Sequence, residues 1–571
     1  MTPSVQDLGW LRSQVVGIDT LIDTPFGQRL LVYCDYTASG RCLLFIERYL
    51  LSLQRLYANT HTEDDITGRS MTQLLHEAEN SIKRAVNAGP AGRVIACGTG
   101  ATGAIHKLQE IVGVAIPPAT RQLLRDAANA SLGREHAEQL RAWQEEHAPV
   151  VFVGPYEHHS NEVSWRNGLA TVVEVRLADD GGIDVNHLAT LLEDPRYLGR
   201  LRIGSFSAAS NVTGMKSPVA TIARLLHAHD AFACFDFAAS GPYVEIDMNP
   251  APGAEGGDAS LDAIFVSPHK FLGGPGSCGV LVFNERLYHR ELPPSVCGGG
   301  TVDYVSESDQ DFVADVETRE RAGTPGVLQT LKAALAFELK RDLTVARIES
   351  CELRLLDRAL ARWQTDPRIE VLGNPDPERR IAIVSFNIRS GDGNYLHPKF
   401  VTALLNDLFG IQSRAGCSCA GPYGHRLLDI PPLVSEQYRQ WVRKGYHGIK
   451  PGWCRVGFHF VMDDAEADYI IESVSFIAEH GEQFLPLYDF DERSGLWARR
   501  GFRESAQSFS LDAAINAEPL KVTALAPEIR AAHYREYQAA ALEAANQLSA
   551  MGGHSTRTLE NDFGKLRFFA T

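Results

Sequence analysis

The chain has 571 residues, 44% of them hydrophobic and 22% charged, which is ordinary globular composition at a length too great for one small core. Its 55 Lys and Arg against 71 Asp and Glu leave a formal charge of -16, which argues against nucleic acid or an anionic membrane as the main partner. Met1 to Asp7 has neither a basic cap before an apolar core nor an Arg-rich, acid-poor makeup, and no apolar run approaches the ~20 residues that cross a bilayer, so a cytoplasmic protein is expected.

From about residue 90 to 285, short runs rich in Val, Ile and Phe alternate with helical patterns, as βα units around a buried parallel sheet do. Candidate strands are 93–97, 150–153, 171–175, 202–206, 232–235, 263–266 and 279–283. Between Pro117 and Ala148 a charged, Ala- and Leu-rich stretch reads as an inserted surface pair of helices. After Thr324-Pro325-Gly326 an amphipathic segment leads into a second domain, and Ile529 to Met551 reads as a helix in a C-terminal appendage. Most of the ten cysteines stand singly in apolar strings, as Cys34, Cys97 and Cys234 do, and read as reduced core residues. Cys417 and Cys419 break that pattern.

In sheets of this kind ligands collect at the carboxyl ends of strands, and the polar motifs sit there. Gly98-Thr-Gly-Ala-Thr102-Gly-Ala joins a strand to a helix, so its backbone N–H groups and the Thr102 hydroxyl suit a phosphate. Glu157-His158-His159-Ser-Asn follows the run 150–153 and offers an imidazole; no third ligand at standard spacing accompanies the pair, so no metal is expected. Asn211, in Ser210-Asn-Val-Thr-Gly214, offers an amide donor or a turn cap. Asp236 ends the run 232–235, where a buried carboxylate needs a cationic partner or caps the next helix. Ser267-Pro-His269-Lys270-Phe-Leu-Gly-Gly then places a lysine, a histidine and a hydroxyl directly after the run 261–266. An amine at a strand end, flanked by phosphate-binding groups and a glycine turn, suits a pyridoxal phosphate held as a Schiff base, whereas alone it reads as a loop lysine.

In this order the segments resemble the fold-type I, class V enzymes dependent on pyridoxal phosphate, most of all the cysteine desulfurase and selenocysteine lyase group, over roughly residues 30–480. The resemblance implies an α/β fold with a large, mostly parallel-sheet domain and a smaller α+β domain. It sets expected boundaries at 1–45 for an N-terminal segment at the active-site mouth, 46–330 for the large domain, 331–500 for the small domain with its cysteine loop, and 501–571 for a helical extension. It implies Lys270 as the cofactor's attachment point, with Ser267, His269 and Thr102 at the phosphate, Asp236 at the pyridine nitrogen, His158 on the ring and Asn211 at the phenolate oxygen. Arg321-Ala-Gly-Thr324-Pro resembles the segment whose threonine reaches the phosphate of a neighbouring subunit, which implies a homodimer. Ala239 stands where the family usually has Gln, and residues 421–452 are extra.

Arg414-Ala-Gly-Cys417-Ser-Cys419-Ala resembles the loop whose cysteine accepts sulfur, which implies that role for Cys419. Arg455 matches the arginine that holds the substrate carboxylate, a task suited to a bidentate guanidinium; Arg414 matches the arginine near the cysteine, and His61 a histidine lining the substrate pocket. The implied reaction on an amino-acid substrate yields alanine and a persulfide on Cys419, with a protein as sulfur acceptor. The rival readings are a C–S β-lyase, which needs no cysteine, another class V activity, and a cofactor-binding scaffold without catalysis.

Overall fold

The computed structural model describes residues 5–60, 62, 64–253, 256–502, 523–551 and 566–570. It divides into two compact units, one of residues 39–210 and 215–345, the other of residues 1–38, 211–214 and 346–571.

The larger unit is built on a seven-stranded sheet. Its strands are β1 (Gly92–Cys97), β2 (Val150–Val153), β3 (Thr171–Glu174), β4 (Arg202–Ser207), β5 (Phe232–Asp236), β6 (Ala263–Val266) and β7 (Gly279–Asn284), in the spatial order β1-β7-β6-β5-β4-β2-β3. Each run read as a strand is one. Strands β2 to β6 pair in parallel, whereas β7 is antiparallel to both β6 and β1. The segment between β6 and β7 carries the lysine motif and no crossover helix, so β7 turns back instead of continuing the parallel series. Val151, Phe152, Ile203, Phe206, Phe235, Phe265 and Leu281 are fully buried, as expected for a sheet covered on both faces. Pairing of Ser207 with Asp236, and of Asp236 with Phe265, aligns the carboxyl ends of β4, β5 and β6. Their polar residues therefore fall together.

Helix α1 (Ile66–Ala85) packs against α3 (Val327–Leu343), and Ser81 donates to Glu338 across the pair. The insertion Pro118–His147 is helical on both sides of Gly133, whose φ of 75° and ψ of 161° break the helix, and it buries only Ala137. That is the surface helical pair expected there.

The smaller unit holds a four-stranded antiparallel sheet in the order β8 (Ile369–Val371), β9 (Ile383–Ile388), β11 (Trp453–Gly457) and β10 (Arg414–Gly416). Helices α4 (Pro398–Phe409) and α5 (Asp464–His480) pack together beside it. The extra segment forms two helices, Gly421–Leu427 and Pro432–Arg443. The C-terminal helix α6 (Pro527–Ala550) docks through the buried Arg530, which pairs with Asp463, and through Tyr534, whose ring stacks on Tyr469 at 4.0 Å. Arg12 ties the amino-terminal segment to the same region, contacting Asp19 and Glu466 at 3.0 Å each. Among the described residues no helix is long and apolar enough to cross a membrane.

Candidate active site

In the larger unit the polar groups converge where β1, β4, β5 and β6 end. Helix α2 (Gly100–Ile111) begins at Gly100, whose φ is +52°. A Cβ there would lie 2.8 Å from both the Ser267 Oγ and the His269 Cε1, so only glycine lets the helix start this close to the lysine motif. Ser267 Oγ accepts from the Ala101 nitrogen at 2.8 Å. The helix dipole at this end suits an anion, and open space beside Gly98, where an added Cβ would meet nothing within 4 Å, leaves room for one. Burial lowers the pKa of His269 to about 4, helped by the Lys270 charge, so its imidazole is neutral at physiological pH.

Thr102 Oγ1 lies 2.7 Å from Ser160 Oγ. The His158 Nδ1 accepts from the Ser160 nitrogen at 3.2 Å, which puts the proton of the neutral ring on Nε2. Asp236 is 3% exposed and accepts from the Ala238 nitrogen at 2.7 Å. Burial raises its pKa, and the Lys270 charge opposes that shift. A buried carboxylate beside a lysine, at the end of a strand and level with an anion cradle, fits the pyridine nitrogen, aldehyde and phosphate of pyridoxal phosphate.

The sequence motif was read for His158, but Glu157 is the better-anchored residue. Its carboxylate accepts from Gly154 N (3.1 Å), Asn161 Nδ2 (2.7 Å), Ser207 N (2.8 Å) and Ser207 Oγ (2.7 Å). Full burial, with a further push from the Asp236 charge, raises its pKa to about 7. Only its place next to His158 hinted at this role. Ala239, in place of the family Gln, is buried. Thr324 is exposed and accepts from Asn59 Nδ2 at 3.4 Å, while His61 lies outside the described residues.

In the smaller unit β10 runs into a tight turn in which the Ala420 nitrogen donates to the Cys417 carbonyl at 3.0 Å. Ser418 and Cys419 have φ of 50° and 57°, the two left-handed central residues of a type I′ turn. Both Cys417 and Cys419 are exposed. Asn211 Nδ2 donates to the Ser418 carbonyl at 2.7 Å, and Arg455 donates to the Asn211 carbonyl at 2.8 Å, so Asn211 links the cysteine turn to the arginine. Asp35 accepts from Arg455 at 2.7 Å and from Arg414 at 3.0 Å; nothing in its own segment had marked it.

Residues 136–470 match the profile described as aminotransferase class-V. A probable cysteine desulfurase of Halalkalibacterium halodurans is 26% identical over 423 residues, covering 73% of this chain and 91% of the relative. A probable cysteine desulfurase of Streptomyces coelicolor is 24% identical, covering 78% of this chain and 92% of the relative. Among solved structures, the cysteine desulfurase CsdA of Escherichia coli superposes with a TM-score of 0.61 at 20% identity, covering 83% of this chain and 98% of that one. The apo cysteine desulfurase of Thermococcus onnurineus gives 0.60 at 19% identity, covering 79% and 95%. The chain belongs to the class-V aminotransferase family and is an enzyme dependent on pyridoxal phosphate.

Proposed function

We propose that this enzyme removes sulfur from cysteine or a related amino acid, releasing alanine and leaving the sulfur on Cys419 as a persulfide. The observation that carries the reading is the exposed Cys419 at the tip of a strained turn, joined through Asn211 to Arg455. The names of the relatives support the same activity.

Lys270 holds the cofactor, with Ser267, His269 and Thr102 around the phosphate, Asp236 on the pyridine nitrogen and His158 over the ring. The bound cofactor supplies an electron sink for the substrate's α-carbon. Arg455 takes the α-carboxylate, and the freed Lys270 amine takes the α-proton. The Cys419 thiolate then attacks the substrate sulfur: an S–S bond forms, the C–S bond breaks, the β-carbon takes up a proton, and Lys270 returns the proton it took to the α-carbon, which completes alanine. Asn211 and the turn aim the thiol. Asn211 also serves the phenolate oxygen.

We assign the working form as a homodimer, with Thr324 completing the partner's phosphate site; its exposure supports this. A protein thiol takes the sulfur onward. Ten unbonded cysteines support a reducing, cytoplasmic setting.

The test follows alanine and pyruvate made from L-cysteine. Cys419→Ala should abolish alanine formation while the cofactor's visible band persists. Pyruvate formation that survives the substitution would establish the β-lyase instead.

A further inference from the structure

We infer that the extra segment 421–452 is the docking surface for the sulfur acceptor, and that this acceptor is a protein with acidic groups around its thiol; the inference rests on the reading of Cys419 as the persulfide carrier. The segment carries five Lys and Arg against two Asp and Glu, a formal charge of +3 in a chain of -16. It is joined to the cysteine turn at both ends. Its first helix, Gly421–Leu427, starts two residues beyond Cys419, and at its return Gly452 packs on Gly416, where an added Cβ would lie 2.8 Å from the Gly416 backbone.

The second helix, Pro432–Arg443, completely buries none of its residues, and Leu433 near its start is 82% exposed. Ser435 Oγ lies 2.9 Å from His425 Nε2, which ties it to the first helix. At its far end the cations gather. Arg443 and Lys444 precede Gly445, where an added Cβ would meet Arg493 Nη1 at 3.6 Å, and the His447 nitrogen, three residues before Lys450, donates to the Arg493 carbonyl at 2.8 Å. Arg443, Lys444, Lys450 and Arg493 are all exposed, and among the described residues none of the four forms an ion pair with a carboxylate. Lys444 lies over the Trp441 ring at 4.7 Å and Arg493 over the Tyr446 ring at 5.0 Å, contacts that hold the side chains without cancelling their charge. Asp491, whose charge Arg493 feels, accepts instead from the Arg493 nitrogen and the Ser494 hydroxyl.

A chain of this net charge repels an acidic body over most of its surface, so one uncompensated basic patch both speeds the approach of such a body and fixes where it lands. The exposed Leu433 on the same helix, and an overall charge that repels nucleic acid and anionic membranes, favour a protein as that body. Lys450 stands two residues from Gly452 and Cys419 three from Gly416, at no more than about 3.6 Å per residue, so a partner of ordinary footprint, about 800 Å², covers both. The acceptor's thiolate attacks the outer sulfur of the Cys419 persulfide. The bond between that sulfur and Cys419 breaks, its bond to the acceptor forms, its proton travels with it, and Cys419 leaves as a thiolate.

The experiment loads the holoenzyme with L-cysteine, removes the excess, and follows by mass the transfer of one sulfur atom to two synthetic peptides of equal length. Each carries one cysteine, flanked by glutamates in one peptide and by glutamines in the other. At low salt the acidic-to-neutral rate ratio should fall by about tenfold when Arg443→Gln, Lys444→Gln, Lys450→Gln and Arg493→Gln are combined, while alanine formation in the loading step stays as in the wild type. The wild-type ratio should fall likewise at about 1 M salt, where charges are screened beyond about 3 Å. An unmoved ratio in the variant overturns the inference, as does an unmoved wild-type ratio on adding salt should the variant not fold. Binding of duplex DNA, or of vesicles rich in anionic phospholipid, at about 0.15 M salt that the variant loses would assign the patch to that ligand and overturn it too. A loaded enzyme that gains no sulfur on Cys419 contradicts the persulfide reading itself, whereas a persulfide that forms but passes to both peptides in the same ratio with and without the patch overturns only the docking surface.

Discussion

Glu157 holds Ser207 twice, through the backbone nitrogen at 2.8 Å and the hydroxyl at 2.7 Å. This fixes the loop that carries His158 to the end of β4, next to Asp236. Asn161, which also donates to Glu157, cannot turn over, because its Oδ1 already accepts from Trp165 Nε1 at 3.1 Å and Ser205 Oγ at 2.6 Å. Glu157→Gln therefore sets one N–H group against another. Urea unfolding should show a loss of about 1–3 kcal/mol, and an unchanged midpoint would refute the anchoring role.

His397 is buried, accepts from the Lys399 nitrogen through Nδ1 at 3.1 Å, and lies 3.1 Å from the Gly448 carbonyl through Nε2. Burial among Phe490, Trp497 and Phe569 lowers its pKa from 6.5 to about 3. Between those values the unfolded chain binds a proton that the native protein refuses. The stability this residue contributes is therefore complete above pH 6.5 and lost as pH falls. From pH 6.5 to pH 5 the wild type should lose about 2 kcal/mol more than His397→Gln, measured by denaturant unfolding at both pH values. Equal losses would contradict the assignment.

Ser418 pays a conformational cost at φ 50°, where asparagine sits more easily. Ser418→Asn should stabilise the protein by up to about 1 kcal/mol in thermal or urea unfolding, and Ser418→Val should destabilise it by at least as much. The opposite order would mean that the turn is not under strain.

Arg530 is 2% exposed and joins α6 to Asp463 and, at 3.7 Å, to Asp19. Arg530→Ala takes this cation from Asp463 and one of two from Asp19, which keeps Arg12, and should cost about 3 kcal/mol. Hydrogen exchange should rise first in residues 527–550, and unchanged protection there would show that the aromatic contacts suffice.

The sheet was legible because runs such as Val150–Val153 are apolar throughout and alternate with helical patterns, a signal local to each segment. The lysine motif and the glycine turn were legible for the same reason. The direction of β7 was not, since it depends on what fills the connection rather than on the strand's own residues. Asp35 was also hidden: its partners lie 379 and 420 residues further along, and only the pairing of β10 with β11 brings the two arginines to one carboxylate. Glu157 stood in view beside His158, but two of its four donors come from Ser207, 50 residues further along, and sequence spacing does not join the two segments.

Borohydride reduction of the cofactor-loaded protein, followed by peptide mass mapping, decides whether Lys270 is the attachment point on which the proposed chemistry depends. The expected result is one reduced cofactor adduct, on the peptide carrying Lys270 and absent from Lys270→Ala. An adduct on any other lysine, or a protein that takes up no cofactor, would contradict it.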